Sequence, residues 1–186
     1  MKKIFEVWKS SIYELKNIYC ITLCGILAAL TVALKFTASI DIGEYIRIGF
    51  SELPAIAASA LFGPAVGGIF WGMCDIIKYI VAPNGPFFPG FTISAAVNGI
   101  IYGYVLYKRP VTLANSFWAT LLSKVIVTLG LNSYWLCVLY GNGFIAVLAT
   151  RIVGAVVMLP INVGITFVMM RFVMKVYRSQ GLIQRS

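Results

Sequence analysis

Residues 53–64 of the chain read Leu-Pro-Ala-Ile-Ala-Ala-Ser-Ala-Leu-Phe-Gly-Pro. The stretch is apolar, and the Gly63-Pro64 pair closes it, because proline cannot continue a helical hydrogen-bond ladder. We predict a helix of about ten residues over Leu53–Phe62, about half of the 20 residues that a helix needs to cross a bilayer. A helix that is apolar all round and too short to span has to be buried among longer helices.

Longer apolar runs lie on both sides of this short helix. Each has the length of a membrane-crossing helix, and the last is long enough to project from the bilayer. The runs are Ile18–Ala38, Ala65–Ala82, Phe91–Tyr107, Thr112–Val138 and Phe144–Tyr177. The predicted fold class is therefore all-α, a polytopic membrane protein with a six-helix bundle and a short second helix. We expect one transmembrane domain over residues 1–186, with cytoplasmic tails at about 1–16 and 178–186.

The composition supports this class. Hydrophobic residues make up 60% of the 186 residues and charged residues 11%, against about 45–50% and about 25% in soluble domains. So little charge could not cover the surface of a soluble enzyme, and so much apolar surface excludes a disordered chain. The net charge of +9 could by itself suggest a nucleic-acid partner.

The placement of the basic residues argues against nucleic acid. Ten of the fifteen lie at the chain termini or in the turn after Tyr107: Lys2, Lys3, Lys9, Lys16, Lys108, Arg109, Arg171, Lys175, Arg178 and Arg185. The opposite end of the bundle keeps Arg47 alone. Since basic residues favour the cytoplasmic side, we predict a multi-pass protein of the plasma membrane with both termini cytoplasmic. The positive charge then reflects topology in the lipid bilayer.

Two segments on the predicted outer side look like covers. Residues 40–50 place isoleucine or phenylalanine at alternate positions, which predicts an extended segment with one apolar side. Residues 83–91 contain three prolines and three phenylalanines, a stiff and apolar composition that has little reason to face water. We expect two covering outer loops, although both could simply be caps over the helix ends.

Ionisable and amide residues inside the spans fall at one depth. Counting along the helices at about 1.5 Å per residue places all of them within about 6–11 Å of the outer boundary. They are Asp75, Lys78, Asn98, Asn132 and Arg151. Such residues are costly in a membrane and indicate function by default, so we predict a pocket at this depth. Deeper than this layer, the sequence shows only Lys124 and Asn162.

Each member of the layer also has a structural explanation. Asp75 and Lys78 could neutralise one another, or Arg151 could pair with Asp75. The two asparagines could be interhelical hydrogen-bond donors and acceptors, and Tyr134 and Trp135 could anchor the helix at the membrane interface. Together, the cations, amides and nearby aromatic rings would suit a flat, anionic small molecule.

Several stretches resemble one family over nearly the whole chain. They are Gly63-Pro-Ala-Val-Gly-Gly68, Gly72-Met-Cys-Asp-Ile-Ile-Lys78-Tyr79, Pro83-Asn-Gly-Pro-Phe-Phe-Pro-Gly-Phe-Thr-Ile-Ser-Ala95, Tyr102-Gly-Tyr-Val-Leu-Tyr107, Leu131-Asn-Ser-Tyr-Trp135 and Leu139-Tyr-Gly141. In these stretches the chain resembles the folate-specific substrate-binding subunit (S component) of energy-coupling factor vitamin transporters. The resemblance implies an ATP-driven importer that binds folate or a reduced folate at the outer face. It implies as partners a transmembrane coupling subunit and two cytoplasmic ATPase subunits.

Folate combines a pterin, a benzoyl ring and a glutamate with two carboxylates, which suits the polar layer. We expect Asp75 and either Asn98 or Asn132 to address the pterin. The rings would be lined by Phe91, Tyr134 and Trp135, and the glutamate would face Lys78 and Arg151. The reverse orientation of the ligand remains open.

The first span carries small residues four positions apart at Gly25, Ala29 and Ala33. Such a stripe lets another helix approach closely. In the family an Ala-xxx-Ala stripe docks the coupling subunit, and Ala29 and Ala33 match it; packing within the chain's own bundle is the alternative. For the similar pairs Gly68/Gly72 and Gly99/Gly103 we expect internal packing.

Other functions fit the sequence less well. A membrane-embedded enzyme would need a convergent acid–base or metal site, yet the chain has no histidine, and Asp75 is the one carboxylate that we place within a span. The four cysteines have no recognised metal-binding spacing, and no phosphate-binding loop is present. We expect no catalytic residue, metal or cofactor. The alternatives left open are an S component for another vitamin and a facilitator that needs no partner.

Overall fold

The computed structural model describes residues 2–37, 39–42, 46–81, 86–141 and 144–179. Within them the chain forms eight α-helices and one pair of strands. The elements in order are α1 (Lys2–Glu14), α2 (Ile18–Thr37), β1 (Ser39–Ile42), β2 (Ile46–Gly49), α3 (Leu53–Phe62), α4 (Pro64–Val81), α5 (Pro89–Leu106), α6 (Leu113–Leu122), α7 (Asn132–Tyr140) and α8 (Phe144–Ser179). A π-helical segment, Ser123–Leu131, joins α6 to α7, so that the two form one continuous rod.

Five of these rods are long and apolar enough to cross a membrane, as predicted: α2, α4, α5, α6–α7 and α8. The short helix α3 has the predicted bounds, and eight of its ten residues are buried. It ends at Gly63, whose φ of 89° lies in the left-handed region that favours glycine. The prediction of a membrane helix bundle with a short, buried helix after the first span is confirmed; this helix is third in the chain because α1 precedes the first span.

The pair α4 and α5 packs closely because glycines face backbone at the crossing. A Cβ atom added at Gly99 would overlap the carbonyl group of Gly67, and one at Gly103 would lie 2.6 Å from Cα of Pro64. A Cβ at Gly68 would lie 2.9 Å from Cγ1 of Ile100, whereas one at Gly72 would make ordinary contacts with Ala96. Internal packing is thus confirmed for the glycines of this pair, most strictly at Gly99 and Gly103.

The N-terminal segment, which we expected only as a tail, forms the helix α1 and packs on the bundle. The buried hydroxyl of Ser11 donates a hydrogen bond of 2.7 Å to the carbonyl of Phe62. It also accepts hydrogen bonds from the backbone N–H groups of Ala65 at 3.0 Å and Val66 at 3.2 Å. One serine therefore satisfies backbone groups at the end of α3 and the start of α4. At the same place the hydroxyls of Ser10 and Tyr107 lie 3.0 Å apart.

The strands β1 and β2 form an antiparallel hairpin, with Ile40 opposite Ile48 and Asp41 opposite Arg47. The predicted extended conformation is confirmed for residues 40–42 and 46–49, whereas Phe50 belongs to the turn Phe50–Glu52. We call this end of the bundle the hairpin end. Parts of both predicted covering loops, residues 43–45 and 83–85, lie outside the described residues.

Candidate binding cavity

A cavity of about 340 Å³ lies between α3, α4, α5 and the α6–α7 rod. We call it the central cavity. Its lining combines charged, amide, hydroxyl and aromatic side chains: Ser51, Glu52, Ala55, Trp71, Cys74, Asp75, Lys78, Phe91, Ser94, Ala95, Asn98, Val127 and Asn132. Five of the eight side chains predicted to bind a ligand are brought together here: Asp75, Lys78, Phe91, Asn98 and Asn132. They come from three of the four spans on which the sequence placed them.

The polar groups of the central cavity differ in how far the protein already satisfies them. The carboxylate of Asp75 accepts a hydrogen bond of 2.9 Å from the hydroxyl of Thr92. The amide oxygen of buried Asn98 accepts a short hydrogen bond from Ser123. By contrast, the amide oxygen of Asn132 is buried and has no hydrogen-bond partner among the described residues. A buried acceptor without a donor costs about 1–3 kcal/mol, which a ligand donor would recover.

A second cavity of about 280 Å³ adjoins the central cavity towards the hairpin end, and we call it the mouth. It shares Asp75, Lys78 and Phe91 with the central cavity. The rest of its lining is one cation and a set of largely aromatic side chains: Lys35, Tyr79, Pro86, Phe87, Phe88, Leu136, Leu139 and Tyr140. The ammonium of Lys35 donates to the backbone carbonyl of Lys78 at 3.0 Å. Two cations therefore line one face of the mouth.

A third cavity of about 100 Å³ adjoins the central cavity on the side away from the hairpin, and we call it the deep cavity. It shares Glu52, Asn98, Val127 and Asn132 with the central cavity. Lys124 and Asn162, expected as isolated deeper groups, both line it, together with Ser123, Thr128 and Thr166. Polar groups thus extend deeper than the single layer that we predicted.

The wall between the central and deep cavities is held in place by Trp71. Its indole nitrogen donates to the carbonyl of Ala55 at 3.2 Å and to the hydroxyl of Ser59 at 3.0 Å. Its ring lies nearly parallel to that of Tyr102, with 6.0 Å between centroids and 4° between planes. These contacts fix two flat aromatic surfaces beside the cavity.

Trp135 and Tyr134 lie next to the mouth rather than in its lining. The Trp135 ring packs against Phe88 with 5.5 Å between centroids, and its indole nitrogen donates to the hydroxyl of Ser94 at 3.1 Å. Tyr134 is 53% exposed, and its ring contacts that of Trp135 edge-on at 5.0 Å. Trp135 therefore supports the cavity wall. Tyr134 faces outward, which agrees with the alternative interpretation that it anchors the helix at the membrane interface.

Arg151 is not brought to the cavity. Its guanidinium donates to the backbone carbonyl of Thr128 at 3.3 Å, and the hydroxyl of Ser133 donates to the same carbonyl at 3.2 Å. Thr128 lies in the π-helical segment, where backbone hydrogen bonds run over five residues: the N–H of Asn132 bonds to the carbonyl of Val127. Within the described residues no ion pair joins Arg151 to Asp75, so the expected alternative of a bridge between them is not formed.

Polar residues of the cavities that were not expected from the sequence include Lys35, Glu52 and Ser94 in the lining, and Thr92, which bonds to Asp75. Lys35 and Glu52 stand at the ends of apolar runs, where a charge is ordinarily taken to mark the edge of the membrane. The available signal for Glu52 was its position directly before a helix that cannot span, since such a helix starts inside the bilayer. Thr92 and Ser94 have hydroxyls that are common in membrane helices.

The small-residue stripe of α2 faces away from the bundle. Gly25, Ala29 and Ala33 are all exposed, and a Cβ added at Gly25 would meet nothing within 4 Å. Within the described residues, Gly25 and Ala29 therefore do not pack inside the chain's own bundle, which was the alternative interpretation of the stripe.

Among the residues that the structure describes, no three His, Cys, Asp or Glu side chains lie close enough to hold a metal ion together. The cysteines Cys20, Cys24, Cys74 and Cys137 are all free thiols. The side chains of the cavity can therefore bind a ligand through hydrogen bonds, charge and aromatic contacts.

Comparison with known proteins identifies the family. Residues 20–170 match the family model described as the substrate-specific component of ECF transporters. The chain is 34% identical over 134 residues to the folate transporter FolT of Clostridium novyi (strain NT), covering 72% of this chain and 78% of that protein. It is 28% identical over 153 residues to FolT of Leuconostoc mesenteroides, covering 76% and 81%. A crystal structure of FolT bound with folic acid superposes with a TM-score of 0.72 at 30% identity, covering 83% of this chain and 93% of that one.

Proposed function

This chain belongs to the substrate-specific components of ECF transporters, and we propose that it is a folate-binding subunit whose cavity takes folate or a reduced folate. The observation that carries the proposal is the central cavity, in which cationic, amide and aromatic side chains from three spans meet. The names of its relatives and of its structural neighbour support folate over other vitamins.

The order of the cavities favours one orientation of the ligand. The mouth offers the ammonium groups of Lys35 and Lys78 to the two carboxylates of the glutamate. The aromatic side chains between the mouth and the centre, Phe88 and Phe91, suit the benzoyl ring. The pterin then enters the central and deep cavities, where Asn98 and Asn132 present amide groups to its edge. In this proposal Asp75 lies beside the pterin or the linker, and Trp135 supports the wall.

The proposal places the protein in the cell membrane as a single substrate-binding domain that catalyses no reaction. Both termini are cytoplasmic, because the basic residues gather at that end, and the mouth then opens outward. The exposed stripe Gly25, Ala29 and Ala33 of α2 supports docking of a transmembrane coupling subunit. Two cytoplasmic ATPase subunits would supply the energy.

Equilibrium binding of radiolabelled folic acid to the protein in lipid nanodiscs tests the proposal. Wild type should show one saturable site that excess unlabelled folic acid empties and riboflavin does not. Ala95→Trp, which fills the central cavity, should abolish binding, whereas Ala149→Trp on the exposed side of α8 should leave it intact. Absence of saturable folate binding, or displacement by riboflavin with higher affinity, would overturn the assignment.

A further inference from the structure

We propose that Glu52 is a specificity-determining residue that, with Asn132, accepts hydrogen bonds from the N–H edge of the ligand's heterocycle. For a pterin this edge is the 2-amino group together with the N3–H group. The inference rests on the proposed function and adds to it the recognition of one particular edge of the ring by a carboxylate.

Glu52 lies at an unusual depth for an unpaired carboxylate. It is the last residue of the turn Phe50–Glu52 and directly precedes α3, whose ten residues separate it from Gly63 at the far end of the bundle. At about 1.5 Å per residue, those ten residues place Glu52 about 15 Å from that end, well inside a hydrocarbon core of about 30 Å. It lines both the central and the deep cavity.

The protein itself does little to satisfy this carboxylate. Its side chain makes no capping hydrogen bond to α3. Within the described ranges, its carboxylate forms no hydrogen bond or ion pair with the protein. Glu52 is exposed and lines both cavities, so its carboxylate is open to the hydrogen-bond donors of a ligand. Ionisable groups inside a membrane are costly unless they are paired.

Asn132 supplies a second acceptor at the same place. Its amide oxygen is buried and has no partner in the part of the chain that the structure describes, and its side chain lines the same two cavities as Glu52. Two acceptors with no donor of their own thus adjoin one space. The other carboxylate of the central cavity, Asp75, is already engaged by Thr92.

The remaining deep groups complement the other atoms of the ring. The oxygen of Asn98 is occupied by Ser123, which leaves its amide nitrogen as the donor, and Lys124 adds an ammonium group. The 4-oxo group and ring nitrogens of a pterin are acceptors that suit these donors. A carboxylate accepts two parallel N–H bonds, as it does from a guanidinium, and the 2-amino and N3–H groups of a pterin form the same pattern. Reduced folates keep this edge, so the inference covers them too.

The test compares Glu52→Gln with wild type for two ligands: folic acid, and the analogue in which hydrogen replaces the 2-amino group. Glutamine has one oxygen and one NH₂ group, so it can accept from N3–H but opposes the 2-amino donor. We expect Glu52→Gln to weaken the binding of folic acid at least tenfold and the binding of the 2-deamino analogue less than threefold. Glu6→Gln, on the exposed surface of α1, should change neither.

A second pair of variants keeps the test decisive if Glu52→Gln is unstable. Asn132→Leu removes the unpartnered acceptor and should weaken folic acid at least tenfold, whereas Asn132→Asp keeps an acceptor and should restore most of the affinity. Unchanged folate binding in Glu52→Gln and Asn132→Leu, or equal losses for the two ligands, would overturn the inference while leaving the proposed function standing. Failure of wild type to bind folic acid would overturn both.

Discussion

The indole nitrogen of Trp135 donates a hydrogen bond of 3.1 Å to the hydroxyl of Ser94, which joins α7 to α5 beside the mouth of the cavity. Gly90 makes this approach possible, since a Cβ there would lie 2.5 Å from Cδ2 of Trp135. Phe88 packs on the same indole. The bond therefore holds together the wall that the segment before α5 and the rod α6–α7 share.

Trp135→Phe should keep the ring contact and lose this hydrogen bond. A net hydrogen bond contributes about 0.5–1.5 kcal/mol, so we expect folic acid to bind about 2–10-fold more weakly. Trp135→Ala should cost more, because the contact with Phe88 is lost as well. Titration in nanodiscs measures both, and Tyr134→Phe serves as control because its side chain is largely exposed. If Trp135→Ala bound folic acid as tightly as wild type, the proposed role of Trp135 in supporting the cavity wall would be wrong.

The two lysines of the mouth predict a charge effect that depends on the ligand. Lys78→Met should weaken folic acid about tenfold or more, since a buried charge-assisted hydrogen bond is worth about 1.5–3 kcal/mol. Pteroic acid, which lacks the glutamate, should bind the variant nearly as well as it binds wild type. Arg151→Gln gives the comparison: because Arg151 contacts the Thr128 carbonyl and not the cavity, any loss should be the same for both ligands. If Arg151→Gln lost more affinity for folic acid than for pteroic acid, Arg151 would have to contact the glutamate of the ligand.

The crossing of α4 and α5 predicts a stability effect without a direct effect on the ligand. Gly99→Ala places a methyl group against the Gly67 carbonyl, so the two helices have to separate. Overpacking of this kind costs about 1–3 kcal/mol, and we expect a clear fall in the apparent melting temperature. Gly164→Ala, where nothing lies within 4 Å of the added atom, should leave it unchanged or raise it. Equal melting temperatures for the two variants would show that α4 and α5 are packed less closely than in the structure.

The stripe on α2 predicts a separation of binding from uptake. Ala29→Trp should leave folate affinity unchanged and abolish assembly with the coupling subunit and folate uptake by cells. Val153→Trp, at a position of α8 that is 66% exposed, adds the same bulk elsewhere on the membrane-facing surface and should have no effect. Assembly that survives Ala29→Trp would locate the docking surface on another helix.

Apolar run length and helix breakers were enough to predict the bundle. The bounds of α3 follow from Gly63-Pro64, and the five long spans follow from hydropathy, because both features act through the local sequence. The 13-residue helix α1 was not predicted, although its apolar residues recur at helical spacing; its position on the bundle depends on the hydrogen bonds of Ser11 to groups about 50 residues away. The π-helical segment was not predicted either, because nothing in a local pattern distinguishes bonding over five residues from bonding over four.

The depth of a residue along its helix was predicted better than the side of the helix from which its side chain projects. Asp75, Asn98 and Asn132, which residue counting put at one depth, line one cavity in the structure. It could not show that Arg151 turns to the Thr128 carbonyl, because rotation about the axis is set by packing with neighbouring helices. Glu52 was missed for a related reason: α3 begins inside the bilayer, so a charge at its start is not at the membrane edge.

The most direct test of the account is an experimental structure of the protein with folic acid bound. We predict density for the ligand running from the mouth to the deep cavity, with the glutamate between Lys35 and Lys78 and the 2-amino edge of the pterin at Glu52 and Asn132. Density for folic acid elsewhere on the protein, or a central cavity filled by side chains, would contradict it.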